Sequence, residues 1–157
     1  MPDTVVENDP YAARKGWMGV LARADLEDLE AAYEALSPVP RYATLRTPET
    51  GLVMVQARAN GTGQKFNTGE MTVTRCSVRL PQGTVGHGYV AGRSRRHAEL
   101  AAIFDALLQD PDCAEGLTRT VIGPLRLAQH EQRLIAGRKT AATRVDFFTM
   151  VRGEDAR

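Results

Sequence analysis

The residues whose type and spacing best suit anion binding lie where a helix is predicted to begin. Four basic residues surround Ser94, a favourable helix N-cap: Arg93, Arg95, Arg96 and His97. A helix N-terminus carries partial positive charge, so each cation there costs roughly 0.3–1 kcal/mol. The same free N–H groups and basic side chains suit a phosphate or a carboxylate. We therefore take these four residues as candidates for anion or partner binding, and add Arg75 from the basic middle of the chain.

A second property of His97 gives this cluster two interpretations. Leu100, Ala101 and Phe104 follow His97 at helical spacing, which places the imidazole on the apolar face of the helix. In the first interpretation, His97 is a partly buried residue that bonds a backbone carbonyl, and the arginines pair with acids elsewhere. In the second, the cluster binds an anion or an acidic partner surface. The residues alone leave both interpretations open.

No combination of cysteines and histidines in the sequence indicates a metal site. Cys76 and Cys113 are far apart in sequence, no CxxC motif occurs, and the three histidines are scattered. The glycine-rich stretch at residues 60–69 resembles a phosphate loop only superficially, because it lacks the Gly-Lys-Ser/Thr ending and no helix is predicted after it. We expect a hairpin loop there, with ligand contact as the second interpretation.

The composition is that of an ordinary globular protein. The chain has 157 residues and a formal net charge of +1, which argues against general nucleic-acid binding. No apolar run approaches the roughly 20 residues that span a membrane, and the polar start does not resemble a signal peptide. We expect one domain over residues 1–157, with a loose lead at 1–9, in a cytoplasmic protein.

The elements that position these residues are predicted to form an α+β fold. Amphipathic spacing predicts an N-terminal helical hairpin at residues 10–22 and 25–36. Alternation then predicts strands at 41–46, 52–59, 70–80 and 84–91, with a turn at 47–51. Later helices, at 94–108 and 124–142, would pack on this antiparallel sheet of about four to five strands. Gly86 and Gly88 indicate a bulge or a close backbone approach.

The C-terminal stretch 144–152 is predicted to be a strand with apolar groups on both faces. Two adjacent phenylalanines so near the C-terminus need cover, either from the chain's own sheet or from a partner subunit. The interface candidates are Arg144, Phe147, Phe148 and Met150.

Short phrases along the chain resemble a known family. In order, they are Glu49-Thr50-Gly51-Leu52-Val53, Gln56-Ala57-Arg58, Gly61-Thr62-Gly63, Thr74-Arg75, Val78-Arg79-Leu80, Gly92-Arg93, His97-Ala98-Glu99 and Asp105-Ala106-Leu107. The ending Arg144-Val145-Asp146-Phe147-Phe148-Thr149-Met150-Val151-Arg152-Gly153 is the most distinctive. Together they resemble PhnG, the G subunit of the bacterial carbon–phosphorus lyase core complex.

The resemblance implies a required subunit that is non-catalytic by itself. Members of this family assemble with H, I and J subunits, two copies of each, with self-pairing of the G subunit and ATPase-like accessory subunits. The complex transfers an alkylphosphonate to the ribose of ATP and releases adenine, and the J subunit uses an iron–sulfur cluster with S-adenosylmethionine. The resemblance assigns no catalytic residue and no bound cofactor to the G subunit. The balanced charge and the lack of a long apolar run separately predict no nucleic-acid or membrane partner.

A competing hypothesis comes from the residues alone. The chain could be a free-standing phosphate- or nucleotide-binding protein, or a small enzyme that uses His97 and the neighbouring arginines, since histidine readily moves protons near neutral pH. No nucleophile or second acid–base group accompanies His97 in sequence, so whether the chain itself is an enzyme stays open.

For the C-terminal strand we predict that Phe147→Asp weakens assembly with the other subunits by at least about tenfold, because a buried aromatic anchor would become a charge. Co-purification with tagged partner subunits measures this effect. Phe147→Leu serves as the apolar control. Undiminished recovery of the complex with Phe147→Asp would refute the interface interpretation.

Overall fold

The computed structural model describes residues 11–143, in which helices flank a small antiparallel sheet. Two short helices come first: α1 (Ala12–Leu21) and α2 (Leu26–Glu34). Three strands follow: β1 (Ala43–Arg58), β2 (Lys65–Arg79) and β3 (Val85–Ala91). Three helices complete the described chain: α3 (Arg95–Leu108), α4 (Pro111–Leu117) and α5 (Gly123–Ala142). The predicted α+β class is confirmed.

The helices begin where local capping favours them. The Ser94 hydroxyl accepts a hydrogen bond from the His97 N–H at 3.2 Å, as expected of an N-cap. Helix α4, which the sequence analysis did not predict, begins at Pro111 because the Asp110 carboxylate accepts the Asp112 N–H at 3.1 Å and this proline fills the first turn. A π-helical turn (Thr118–Ile122) then leads into α5. Both N-terminal helices contact α3.

The sheet has the order β1-β2-β3 and contains three strands within residues 11–143, fewer than the four to five expected. The predicted turn at 47–51 is wrong, because β1 continues through it and joins the two strands expected on either side. The register shifts between Arg46 and Glu49 absorb Pro48. Proline is tolerated here because, among the strands of residues 11–143, β1 pairs with β2 alone and its other edge is open. The predicted strand at 144–152 lies outside the described residues.

Helix α3 lies directly against the backbone of β3. A side-chain carbon added to Gly88 would collide with the Ala98 carbonyl oxygen, and one added to Gly86 would collide with that of Ala102. Of the bulge and the close backbone approach predicted as alternatives for these glycines, the close approach is confirmed. Small residues on both sides let the helix and the strand meet without intervening side chains.

The hydrophobic core is centred on α3. Phe104, Ile103 and Leu100 are fully buried, together with Val78 and Val90 from the sheet. Leu21 of α1 and Leu29 of α2 close the same cluster. Because α3 contributes to the core along nearly its whole length, it forms the centre on which the other elements pack.

The β1–β2 hairpin extends beyond the three-stranded sheet as an arm, which we define as residues 51–72. Strand β3 pairs with β2 only from Val73 onward, so the arm is a two-stranded ribbon. Leu52, Met54 and Phe66 on it are 64%, 54% and 48% exposed. The loop predicted at 60–69 is shorter than expected, because β2 already begins at Lys65. Two-stranded hairpins are marginally stable in water, and nothing in residues 11–143 covers these apolar groups.

The distal half of α5, residues 130–142, is exposed at every position. Leu134 and Ile135 on it are about half exposed, at 48% and 51%. None of the helices within residues 11–143 combines the length and the apolar character that crossing a membrane requires.

The contact between β3 and α3 predicts that Gly88→Ala destabilises the protein by about 2–3 kcal/mol, since helix and strand must move apart. Urea-induced unfolding of the purified chain measures the loss. Gly16→Ala in α1 is the matched control, because its added carbon meets nothing within 4 Å and alanine favours a helix by up to about 1 kcal/mol. Equal unfolding midpoints for Gly88→Ala and the wild type would contradict the prediction.

Candidate functional site

The histidine of the predicted basic cluster points into the protein. His97 is buried, and its Nε2 lies 2.8 Å from the Leu21 carbonyl oxygen. A carbonyl only accepts hydrogen bonds, so Nε2 carries the proton and donates it to this bond. Gln129 of α5 donates to the neighbouring Val20 carbonyl at 2.9 Å. His97 and Gln129 thus each add a side-chain donor to a carbonyl at the C-terminal end of α1. Both carbonyls also accept a backbone N–H, from Ala24 and Arg23 respectively.

Arg96 is held in a polar network that joins α3, α2 and the start of β1. Its Nη1 lies 2.8 Å from Glu99 Oε2, and its Nε lies 3.7 Å from Glu30 Oε1. The guanidinium carbon also lies 5.3 Å from the centre of the Tyr33 ring, within the range of a cation–π contact. Tyr42 donates its hydroxyl to Glu99 Oε1 at 2.9 Å, and burial together with this bond raises the pKa of Tyr42 to about 12.

Arg75 lies apart from the α3 cluster. It alternates along β2 with the buried Thr74 and Cys76, so it occupies the opposite face of the sheet from α3. Its Nε donates to Glu49 Oε1 at 2.7 Å, and Arg46 donates to the same oxygen. Hydrogen bonds from Arg46 and Arg75 lower the pKa of the Glu49 carboxyl below its ordinary value. The structure therefore does not place Arg75 in the cluster with which it was predicted.

The two remaining basic residues, Arg93 and Arg95, are exposed at the N-terminus of α3. Within residues 11–143, neither takes part in an ion pair. The geometry therefore fits the first interpretation for His97 and Arg96, while anion or partner binding by Arg93 and Arg95 stays a prediction. The interface candidates Arg144, Phe147, Phe148 and Met150 lie outside the described residues.

A polar site that the sequence analysis missed is centred on the fully buried Asp105. Arg14 of α1 contacts both carboxylate oxygens, with Nε 3.1 Å from Oδ1 and Nη2 2.7 Å from Oδ2. Trp17, one turn further along α1, donates its indole N–H to Oδ1 at 2.9 Å. The backbone N–H of His87 in β3 donates to Oδ2, also at 2.9 Å. One carboxylate therefore joins α1, α3 and β3.

The signal for this site was present in the sequence. Asp105 is the one charged residue between Leu100 and Leu108, inside the apolar stretch of α3. A buried carboxylate requires a cation and further donors. Arg14 and Trp17 are spaced i, i+3 on one face of α1 and supply them. The one feature of this site that the sequence could not predict is the pairing of α1 with α3.

The buried polar groups of the described chain are committed to hydrogen bonds that join elements of the fold. Asp105 is fully buried and occupied by its donors, and His97 Nε2 is committed to Leu21. The Cys76 thiol donates to the Arg46 carbonyl at 3.4 Å, and burial raises its pKa to about 11, so it stays protonated near neutral pH. Within the described residues, no group of three or more His, Cys, Asp or Glu could hold a metal ion.

These features define an α+β protein in which buried polar groups join the secondary-structure elements, while the arm and the distal half of α5 are left uncovered by the described residues. A family model described as phosphonate metabolism protein PhnG matches residues 12–153. The alpha-D-ribose 1-methylphosphonate 5-triphosphate synthase subunit PhnG of Rhizobium meliloti (strain 1021) is 49% identical over 147 residues, covering 92% of each chain. The chain belongs to the PhnG family of phosphonate metabolism proteins.

The Asp105 site predicts that Asp105→Asn destabilises the protein by roughly 3 kcal/mol, because it leaves the Arg14 guanidinium without its counter-charge. Chemical unfolding measures this loss. Glu49→Gln, which breaks an exposed ion pair, is the matched control and should shift the unfolding midpoint far less. Similar shifts of the unfolding midpoint for both variants would show that the Asp105 site stabilises the protein no more than an exposed ion pair does.

Proposed function

We propose that this chain is a non-catalytic but required subunit of the carbon–phosphorus lyase core complex. In this role it supports transfer of an alkylphosphonate to the ribose of ATP, with adenine release, in cytoplasmic phosphonate catabolism. The observation that carries the proposal is the 49% identity, over 92% of both chains, to a synthase subunit named PhnG. Membership of the PhnG family over residues 12–153 supports it independently.

The proposed partners are the H, I and J subunits, with two copies of each subunit and pairing of the G subunit at the centre. ATPase-like accessory subunits would join this core. In this scheme the complex uses ATP, and the J subunit supplies an iron–sulfur cluster and S-adenosylmethionine. The G subunit would hold no cofactor and would instead shape the surfaces around the reacting groups.

The surface of the chain supports a role in assembly. The arm carries Leu52, Met54 and Phe66 in contact with solvent, although large exposed apolar patches usually mark binding sites. The buried His97 and Asp105 are both committed to bonds that join secondary-structure elements. The described residues thus offer surfaces to be covered and assemble no catalytic pair around His97.

We expect adenine release from ATP and an alkylphosphonate to require this chain. Co-expression of the H-, I- and J-like subunits and the ATPase-like accessory subunits with and without the chain, followed by chromatography of the released base, measures this requirement. Full adenine release without the chain would overturn the proposed function, as would failure of the chain to co-purify with those subunits.

The arm should be one of the assembly surfaces. Leu52→Asp combined with Phe66→Asp is expected to reduce recovery of the complex by at least about tenfold. Val39→Asp is the matched control, because Val39 is 56% exposed but lies outside the arm. Equal losses for both variants would argue against a specific role of the arm.

A further inference from the structure

The face of the sheet opposite α3 carries a group of basic side chains around Ser77. Arg75 and Arg79 lie two residues to either side of Ser77 on β2, so the three side chains share this face. The cross-strand partners of Ser77 are Arg46 of β1 and His87 of β3. All four basic residues are exposed. We call Ser77 and these four neighbours the sheet cluster.

Acidic side chains balance only part of the charge of the sheet cluster. One oxygen of Glu49 accepts hydrogen bonds from both Arg75 and Arg46, so a single carboxylate is shared by two guanidinium groups. Within residues 11–143, no acid forms an ion pair with Arg79. Like charges on neighbouring strand positions repel one another, and a bound anion would relieve that repulsion.

Two hydrogen bonds hold His87 in place at the sheet cluster. Its Nδ1 lies 2.9 Å from Ser77 Oγ, and its backbone N–H donates to the buried Asp105 carboxylate at 2.9 Å. Whichever side chain donates the first of these bonds, the pair keeps one donor for a ligand. That donor is the Nε2–H when Ser77 donates, and the Ser77 hydroxyl when His87 donates. A positioned donor therefore stands among the arginines before any ligand arrives.

The sheet cluster borders a depression with a volume of about 190 Å³. Arg75 and Tyr89 line it together with the start of the arm. Pockets that enclose small organic ligands usually measure roughly 300–1,000 Å³, so this depression is too small to enclose one. Recognition at this face would therefore depend on the charged group of a ligand and not on its organic part.

The extent of the sheet cluster favours a chain of phosphates over a single tetrahedral anion. Arg75 and Arg79 are four residues apart on an extended strand, which separates their backbones by roughly 13 Å. A single phosphate or phosphonate would leave part of this span unmatched, whereas a triphosphate distributes negative charge along its length. Arginine also suits this ligand, because its N–H groups bind phosphate oxygens in pairs.

We propose that the sheet cluster binds a triphosphate chain of the kind that ATP carries. Arg75 and Arg79 contact phosphate oxygens on either side of the Ser77–His87 pair, which donates a further hydrogen bond between them. The inference rests on the proposed function in one respect, since ATP is the triphosphate that the complex would use. It adds a ligand contact to a subunit for which the sequence resemblance implies none.

Calorimetric titration of the full-length chain with three probes tests the class of ligand. The probes are inorganic tripolyphosphate, ATP and methylphosphonate, in magnesium-free buffer at low ionic strength, where charge attraction is least screened. We expect tripolyphosphate and ATP to bind with similar affinity, and methylphosphonate at least about tenfold more weakly. Absence of tripolyphosphate binding, or methylphosphonate binding of equal strength, would overturn the proposal.

Matched variants test the location of the site. Arg79→Gln and His87→Gln are each expected to weaken tripolyphosphate binding at least about fivefold, because each removes a donor to the anion. Arg126→Gln is the control, since it removes the same charge from an exposed position of α5. Arg95→Gln tests binding at the N-terminus of α3 instead. Unchanged unfolding midpoints show that all four variants are folded, because the substituted side chains are exposed.

Three results from these variants would contradict the proposed site. Equal weakening by Arg126→Gln would mean that the anion is attracted by overall charge alone. A loss confined to Arg95→Gln would assign the anion to the helix N-terminus. Unchanged binding by both Arg79→Gln and His87→Gln would exclude the sheet cluster.

This outcome is separable from that of the proposed function. Co-purification of the wild-type chain with the H-, I- and J-like subunits tests the function and requires no anion. If the chain joins the complex but binds no tripolyphosphate, only the sheet-cluster site is refuted. If the chain binds tripolyphosphate through the sheet cluster but never joins the other subunits, only the proposed function is refuted.

Discussion

The direct contact of β3 with α3 is the constraint on which the rest of the described structure depends. With no side chain at Gly86 or Gly88, the backbone of α3 lies against the strand, and Asp105 comes within reach of the His87 N–H. Burying that carboxylate would cost several kcal/mol without partners, so α1 must approach with Arg14 and Trp17. Once α1 is placed, its C-terminal carbonyls fall where α3 and α5 can bond them. The close approach therefore sets the positions of α1, α3 and α5 relative to one another.

The same arrangement changes the meaning of the basic cluster at the start of α3. Cations at a helix N-terminus are unfavourable in isolation, but Arg96 gains Glu99, Glu30 and the face of Tyr33 in return. His97 turns inward and acts as a hydrogen-bond donor to α1. Only Arg93 and Arg95 remain exposed beside the free N–H groups of the first turn. Of the four residues predicted as candidates for anion binding, His97 and Arg96 join secondary-structure elements of the fold, and the other two are exposed.

Features that depend on residues close together in sequence could be predicted, whereas features that depend on residues far apart could not. The start of α3 was readable because the Ser94 cap and its N–H partner are three residues apart. The glycines of β3 signalled a close approach because no other residue fits against a backbone. The continuity of β1 through Pro48 was not readable, since it depends on pairing with β2 and on an open edge. The Asp105 site was missed for the same reason, because its partners lie 91 and 88 residues away.

The described chain has one region that is fully packed and two segments that expose apolar side chains, which agrees with a subunit of a larger assembly. Around Asp105, a buried charge is matched by its donors within the chain, so that region needs no partner to be complete. In the arm and the distal half of α5, by contrast, large apolar side chains are exposed, and nothing in residues 11–143 covers them. Isolated ribbons and thinly amphipathic helices gain little stability from hydrogen bonds alone, since water competes for the same groups. The proposed assembly with other subunits would supply apolar contacts that residues 11–143 do not provide for these segments.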